Sequence, residues 1–242
     1  MLFIIYSYLN MNESSENSND EMKVEILPES STISDFNFKV IIIGDSGVGK
    51  SSLTKKATKN IFESDQTTTI GFEFCTLNFK LDNKEIRLQI WDTCGQEAYK
   101  SLITNFYRNA SLAIITYSID SEESFKNIEN WIKDLKANSN PDVKMMLIGC
   151  KNDLEDKRKI STEHAQKIAS DYEMCLFMET SAKTGFNAQE VFIKGVKILY
   201  MDYKKYKEQE FLMKSSSIVS SDNESLKLTD QSETNEKKKC CK

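Results

Sequence analysis

Apolar residues alternate with polar ones in two stretches of the chain and form nearly continuous runs in four others, where Thr116 and Lys144 are the only polar residues. The alternating stretches are 75–81 and 86–90, and the polar pair Asp82-Asn83 between them predicts the turn of an antiparallel hairpin. Nearly continuous apolar runs are typical of parallel strands that are covered on both faces of a sheet. These runs are 40–43, 112–117, 143–148 and 175–178.

Helical patterns lie between these strands. One predicted helix presents a single apolar face, formed by Phe125, Ile128, Ile132 and Leu135. Asp120 and Glu123 resemble a capping box at its start, and a last helix is predicted from about Asn187. The alternation predicts a three-layer α/β fold with a mostly parallel six-stranded sheet, one antiparallel edge strand from the hairpin, and about five helices. In such folds ligands bind at the carboxyl ends of the strands.

Composition limits the choice of function classes. The 242 residues suffice for one domain with tails, and the net charge of −5 gives no reason to expect nucleic acid as a partner. The six cysteines are dispersed except for one adjacent pair, so the sequence predicts neither a disulfide framework nor a zinc ribbon. A reducing, intracellular compartment is therefore expected.

Polar sequence near both ends predicts tails around one folded domain. We expect a disordered extension over 1–36, a domain over 37–206 and a disordered tail over 207–242. The first ten residues are apolar, but they lack the basic start and cleavage site of a signal sequence and are too few to span a bilayer. A start of translation at Met11 or Met22 is an alternative.

A glycine-rich segment, G-D-S-G-V-G-K-S, follows the apolar run 40–43 directly. A strand, such a loop and a helix in succession form a phosphate-binding loop, in which backbone N–H groups surround a polyphosphate. Lys50 is expected to reach the outer phosphates, and the Ser51 hydroxyl to ligate Mg²⁺. The predicted nucleotide-binding residues here are Gly44, Asp45, Ser46, Gly47, Val48, Gly49, Lys50, Ser51 and Ser52.

Four more loops carry chemistry suited to the same ligand. Asp92 ends a predicted strand and is expected to hold Mg²⁺ through a water, while Gly95 permits close approach to a terminal phosphate. Gln96 is suited to orienting an attacking water, and the loop 67–71 offers a hydroxyl for the Mg²⁺ shell. Asp153 accepts two hydrogen bonds from guanine that adenine does not offer. The remaining predicted base-contacting residues are Lys151, Ser181, Ala182 and Lys183.

Taken together, these five loops resemble the guanine-nucleotide motifs of small Ras-like GTPases, and segments 70–74, 88–93 and 106–110 are similar to the Rab branch. The resemblance implies the P-loop GTPase fold and a GTP-dependent switch in vesicle trafficking. It also implies slow GTP hydrolysis, with Gln96 and Lys50 catalytic and an activating protein required. It further implies that Phe62 stacks on guanine, and that the Mg²⁺ ligands are Ser51, Thr69 and Asp92.

Two cysteines depart from the Rab pattern. Cys94 stands where alanine is usual, beside the expected γ-phosphate, and its bulk favours slower hydrolysis. An alternative is therefore a GTP-bound binding module with little hydrolysis. Cys150 replaces the asparagine of the Asn-Lys-x-Asp motif, which predicts altered affinity. One hypothesis is that oxidation of either thiol weakens nucleotide binding. The other interpretation is that both are small residues with no special role.

Large aromatic side chains mark a predicted binding surface. Phe74 and Trp91 fall on the faces of their strands opposite the apolar residues, which indicates a patch suited to protein partners. The resemblance adds Phe106 and implies that the three form an effector patch. The alternative is that a tail or helix covers them.

The end of the chain, K-K-K-C-C-K, indicates membrane attachment. Its lysines favour an anionic membrane surface, and the ending does not match the C-a-a-X motif. It resembles the double-cysteine ending of Rab proteins, which implies geranylgeranyl groups on Cys240 and Cys241. An unmodified basic tail is the alternative.

The resemblance also implies which classes of protein bind this chain and where in the cell it acts. The partners are an exchange factor, an activating protein, effectors, an escort protein and a dissociation inhibitor, around a monomeric core. The implied location is the cytoplasmic face of an intracellular membrane, in exchange with the cytosol. A Ras- or Rho-like signalling role is the alternative to vesicle trafficking.

Overall fold

The computed structural model describes residues 22–31, 34–64, 71–93 and 106–225. The strands are β1 (Val24–Leu27), β2 (Phe36–Gly44), β3 (Phe72–Leu81), β4 (Lys84–Thr93), β5 (Leu112–Ser118), β6 (Lys144–Cys150) and β7 (Leu176–Glu179). The helices are α1 (Lys50–Lys59), α2 (Glu122–Lys126), α3 (Ile128–Asn138), a 3-10 helix (Asn152–Lys157), α4 (Thr162–Asp171) and α5 (Glu190–Ser225). The chain divides into two compact units after Leu199, and β1–β7 with α1–α4 belong to the first.

One sheet of seven strands organises the first unit, in the order β1-β3-β4-β2-β5-β6-β7. From β4 to β7 all neighbours are parallel, whereas β1 and β3 are antiparallel to their neighbours. The apolar run 40–43 lies in β2 at the centre and is fully buried. The predicted α/β architecture and the buried parallel strands are therefore confirmed.

The predicted hairpin is also confirmed. β3 pairs with β4 from Phe72 opposite Thr93 to Leu81 opposite Lys84. Asp82 and Asn83 form the two-residue turn with φ of 50° and 59°, a left-handed conformation that Asn and Asp tolerate. The turn therefore sets the register that exposes Phe74 and buries the alternating apolar side chains.

Three details differ from the sequence-based expectations. The sheet has seven strands instead of six, because β1 forms within the extension predicted to be disordered. Helix α5 continues to Ser225, past the predicted start of the tail at residue 207. The N-cap of α2 is Ser121, whose hydroxyl accepts from the Ser124 amide, while Asp120 accepts a hydrogen bond from the Ser118 hydroxyl instead. None of the helices in the described ranges is long and apolar enough to cross a bilayer.

Side chains of β3 and β4 attach the N-terminal segment, residues 22–31, to the sheet. The buried amide of Asn78 donates to the carbonyl oxygen of Pro28 at 3.1 Å. Arg87 donates from Nε to Asn78 Oδ1 at 3.0 Å and from Nη2 to the carbonyl oxygen of Ser31 at 2.6 Å. Because β1 has only four residues, this polar network is a substantial part of what holds the segment.

We expect Arg87→Ala to lower the free energy of unfolding by about 1–2 kcal/mol, because two hydrogen bonds of a charged donor are lost. Urea unfolding measures this loss, and amide exchange of β1 should become faster. Lys80→Ala, at an exposed position of β3, is the matched control and should change stability by less than about 0.5 kcal/mol. Equal stability and equal β1 exchange in both variants would contradict the described attachment.

Candidate nucleotide-binding site

The phosphate-binding loop connects the end of β2 to the start of α1, as the sequence predicts. Three glycines have φ in the left-handed range: 144° at Gly44, 75° at Gly47 and 115° at Gly49. A Cβ on Gly44 would also overlap the carbonyl oxygen and hydroxyl of Thr116 on β5. Only glycine therefore allows the loop to leave the sheet at this point.

Lys50 closes the loop on itself. Its side chain is buried, with only 5% exposed, and Nζ donates to the carbonyl oxygens of Gly44 at 2.8 Å and Asp45 at 2.7 Å. A buried ammonium needs such partners because its desolvation is costly. The positive charge is thereby held at the rim of the loop, where a polyphosphate would lie.

A cavity of about 390 Å³ lies between this loop and the loops after β6 and β7. It has a volume typical of small-molecule sites. The predicted residues that line it are Ser46, Gly47, Gly49, Lys50, Ser51, Ser52, Phe62, Lys151, Asp153, Ala182 and Lys183. The other predicted residues of these loops, Gly44, Asp45, Val48 and Ser181, are not part of its lining. Thr180, the first residue of the predicted loop 180–183, also lines the cavity, as does Leu154, which sequence reasoning missed.

The two base-side loops are joined by hydrogen bonds. The Ser181 hydroxyl donates to Asp153 Oδ1 at 2.6 Å, and Lys183 Nζ lies 4.0 Å from Asp153 Oδ2. The amide of Asn152 donates to the Thr180 carbonyl oxygen at 2.9 Å. Asp153 is thus oriented by its neighbours, as a carboxylate that reads a base must be.

Arg158 connects the loops after β6 and β7 by hydrogen bonds. This role was not predicted from the sequence. Its guanidinium donates to both carboxylate oxygens of Glu179 at 2.7 and 2.8 Å, and to Asn152 Oδ1 at 3.2 Å. Only 16% of the Arg158 side chain and 12% of that of Glu179 are exposed. Glu179 directly precedes the predicted loop 180–183, but nothing in the sequence pairs it with an arginine 21 residues away.

Asp92 meets the requirements for a cation site. It is fully buried at the end of β4, and neither carboxylate oxygen accepts a hydrogen bond from the residues that the structure describes. Burial raises the pKa of Asp92 to about 6, while the nearby Ser51 hydroxyl and Lys50 ammonium lower it. A buried carboxylate with both oxygens open to a ligand, beside a hydroxyl, has the oxygen chemistry that Mg²⁺ prefers. The predicted Thr69, Gly95 and Gln96, and also Cys94, lie outside the described residues.

Cys150 lines the cavity and is buried beside the phosphate-binding loop. A Cβ on Gly49 would lie 3.5 Å from its Cβ, and the Thr180 hydroxyl lies 4.0 Å from its Sγ. Burial raises the pKa of the Cys150 thiol to about 11. Because thiolates, and not thiols, are oxidised readily, these surroundings argue against the hypothesis that oxidation of Cys150 regulates nucleotide binding.

The three predicted effector-patch residues come together, with a fourth aromatic beside them. Ring centroids lie 5.0 Å apart for Phe74 and Trp91, and 5.1 Å apart for Trp91 and Phe106. Phe72 lies 4.6 Å from Phe106 and was missed, although it shares the strand face of Phe74. Phe72 and Phe74 are about half exposed, so no described tail or helix covers the aromatic patch formed by these four residues.

Comparison with known proteins identifies the family. The sequence profile of the Ras family matches residues 39–201, more than half of the chain. The chain belongs to the Ras family. It is 45% identical over 158 residues to the GTP-binding protein ypt3 of Schizosaccharomyces pombe, covering 65% of this chain and 73% of that protein. It is 43% identical to the Ras-related protein Rab-8B of Homo sapiens, with 65% and 76% covered. It is 40% identical to the Ras-related protein RABA1b of Arabidopsis thaliana, in an alignment that covers 69% of this chain and 76% of that protein.

These relatives are all Rab proteins, so this Ras-family member is a Rab-type small GTPase that acts as a switch in vesicle trafficking. Guanine nucleotide, Mg²⁺ and GTPase activity come with that family, as do regulators and effectors in general. The predicted P-loop GTPase fold is likewise confirmed.

For this Rab-type GTPase we expect Cys150 to resist alkylation at neutral pH. With a pKa of about 11, about a thousandth or less of the thiol is ionised at pH 7.5, and the fraction rises as the pH approaches the pKa. Mass spectrometry after iodoacetamide treatment of the folded protein measures the rate against glutathione in the same tube. Alkylation of Cys150 as fast as that of glutathione would show that the thiol is accessible and that its pKa is not raised.

Proposed function

We propose that this Rab-type GTPase hydrolyses GTP slowly by itself, with Lys50 and Gln96 as its catalytic residues. The observation that carries the proposal is the position of the buried Lys50 ammonium at the cavity shared with the base-side loops. Lys50 stabilises negative charge on the transferred phosphoryl group, and Gln96 orients the attacking water. Ser51, Thr69 and Asp92 would hold Mg²⁺, which would supply positive charge to neutralise the phosphates.

Guanine is selected by the base-side loops in this proposal. Asp153 accepts hydrogen bonds from the base, Phe62 stacks on it, and the cavity wall is completed by Lys151, Ala182 and Lys183. Ser181 contributes by orienting Asp153 at 2.6 Å. ATP is rejected because adenine leaves the Asp153 carboxylate unpaired.

An activating protein is required for fast turnover. None of the segments 44–52, 67–71 and 92–97 contains an arginine. An arginine at the transferred phosphate accounts for a large part of the rate in other switch GTPases, so its absence in cis predicts that it comes from a partner.

The aromatic patch is proposed to recruit effectors in the GTP-bound state. β3 begins at Phe72, directly after the loop that contains Thr69, and β4 ends at Thr93, directly before the loop that contains Gln96. Contacts of Thr69 and Gln96 with the bound nucleotide would therefore change the surface next to Phe74, Trp91 and Phe106. Half-exposed aromatic rings in a cluster suit a protein partner.

Attachment to membranes is proposed to depend on two geranylgeranyl groups, at Cys240 and Cys241. The family match over 39–201 supports a GTPase domain over 37–206, to whose sheet β1 adds an edge strand, and Cys240 and Cys241 lie beyond it in 207–242. The modified end would place the protein on the cytoplasmic face of an intracellular membrane. An escort protein and a dissociation inhibitor would then bring it to the membrane and return it to the cytosol.

We expect single-turnover hydrolysis of GTP by the wild-type protein to be slow but measurable, and Gln96→Leu to reduce it at least about tenfold, because the water is no longer oriented. Purified protein loaded with GTP and Mg²⁺ is assayed for released phosphate. Cys94→Ala is assayed beside it, since it restores the usual Rab residue two positions before Gln96.

The same assay separates the proposal from the GTP-bound binding module. If the wild type is inert and Cys94→Ala restores turnover, the chain binds GTP without useful hydrolysis. If neither Gln96→Leu nor Cys94→Ala changes a measurable rate, the role assigned to Gln96 is wrong.

We expect Cys240→Ser with Cys241→Ser to abolish sedimentation of the protein with cell membranes, because both lipids are lost. Either single change should weaken sedimentation, since one prenyl chain anchors marginally. Mass spectrometry of the C-terminal peptide identifies the lipid. A farnesyl group would favour a Ras-like role instead, and an unmodified peptide in membrane-bound protein would rule out lipid anchoring at these cysteines.

A further inference from the structure

Asp45 belongs to the phosphate-binding loop, but its side chain does not line the nucleotide cavity. Its carboxylate instead accepts two hydrogen bonds from residues more than 80 positions away. Trp131 Nε1 on α3 donates to Oδ1 at 2.8 Å, and Asn127 Nδ2 donates to Oδ2 at 2.8 Å. Each carboxylate oxygen is thus held by its own donor at the beginning of α3.

Both donors are well suited to a fixed contact. Trp131 is buried, with 4% exposed, and its ring packs in the core cluster with Ile132 and Leu135. Asn127 is the N-cap of α3, but its side chain makes no capping hydrogen bond. Its side-chain amide is therefore free to donate to Asp45. The Asp45 carboxylate thus lies at the N-terminus of α3, where the helix dipole also favours a negative charge.

The contact addresses two physical problems of the phosphate-binding loop. Gly44, Gly47 and Gly49 give the loop conformational freedom, and ordering it around a ligand costs entropy that a tether reduces in advance. A carboxylate facing a polyphosphate would also repel it, and the two donors direct the Asp45 charge toward α3. In addition, the Asp45 carbonyl oxygen holds the Lys50 ammonium at 2.7 Å.

We propose that Asp45 is a positioning residue that ties the phosphate-binding loop to α3 through Trp131 and Asn127, and thereby slows nucleotide release. Displacement of Asp45 moves one of the two carbonyl oxygens that hold Lys50, so the loop and its ammonium relax together. The proposal rests on nucleotide binding at this loop, as described above. It assigns to α3 a direct influence on the lifetime of the bound nucleotide.

The test compares GDP release from Trp131→Phe and Asn127→Ala with that from the wild type. Trp131→Phe removes the N–H donor and keeps an aromatic ring in the core, whereas Asn127→Ala removes the other donor without loss of a helix cap. Release of fluorescent GDP is followed in excess Mg²⁺ and unlabelled GDP. Each variant should release GDP roughly three- to tenfold faster, the effect expected for the typical net contribution of one intramolecular hydrogen bond.

Ile132→Val is the matched control on the same helix. Ile132 is buried with 1% exposed next to Trp131, so this variant loses core packing without a contact to Asp45. We expect its thermal midpoint to fall while its rate of GDP release stays at the wild-type value. If Ile132→Val accelerates release as much as Trp131→Phe, general destabilisation of α3 explains the effect and the proposal fails.

A spectroscopic readout reports the contact without reference to nucleotide release. The protein has two tryptophans, so the indole N–H resonance that disappears in Trp131→Phe belongs to Trp131. We expect Asp45→Asn to shift that resonance, because the carboxylate that accepts its proton becomes an amide. In the double variant Asp45→Asn with Trp131→Phe, GDP release should be no faster than in the faster single variant.

The outcomes separate this inference from the proposed function. Unchanged GDP release in both Trp131→Phe and Asn127→Ala overturns the inference, as does an indole resonance that Asp45→Asn leaves in place. Fully additive acceleration in the double variant also contradicts it, because the two side chains would then act independently. A wild-type protein without detectable GDP binding would overturn the proposed function first, while the indole resonance would still report the contact.

Discussion

Two opposite charges are buried at the carboxyl end of the sheet, and the site depends on how each is compensated. The Lys50 ammonium is satisfied by two carbonyl oxygens of its own loop, which folds the loop around it. The Asp92 carboxylate accepts no hydrogen bond from the described residues, and burial raises its pKa to about 6 although the nearby Ser51 hydroxyl and Lys50 ammonium lower it. Desolvated charges are tolerated only with close partners. A bound phosphate chain with Mg²⁺ would supply opposite charge to both.

The order of the strands brings these charges together. β2 lies between β4 and β5, so the loop after β2 emerges next to Asp92 on one side and Thr116 on the other. Thr116 approaches so closely that only glycine fits at position 44. The loops after β6 and β7 emerge at the same edge, and Arg158 joins them through Asn152 and Glu179. The site is therefore a consequence of parallel strands that end together.

Two features of this Rab-type GTPase lie outside the nucleotide-binding motifs: strand β1 and the aromatic patch. Residues 22–31 lie outside the part that matches the family, yet β1 extends the sheet by pairing with β3, and Asn78 and Arg87 hold the residues that follow it. The aromatic patch adds Phe72 to the three residues that the pattern and the resemblance indicated. Both features lie on the β3–β4 hairpin, which thus carries an attached strand near its turn and an exposed binding surface at its other end.

The sequence by itself determined the buried strands, the hairpin with its Asp82-Asn83 turn, and the phosphate-binding loop, because each depends on periodicity or on spacing within a short stretch. It also placed Phe74 and Trp91 on one outward face by strand phase alone. Only the tertiary structure decided the partners of Asp45, Asn78 and Arg158. These hydrogen bonds join residues from 6 to 86 positions apart and depend on strand order, loop course and side-chain direction. Local hydrophobic patterns carry no information about such pairings, and a four-residue strand such as β1 is too short to reveal itself by period.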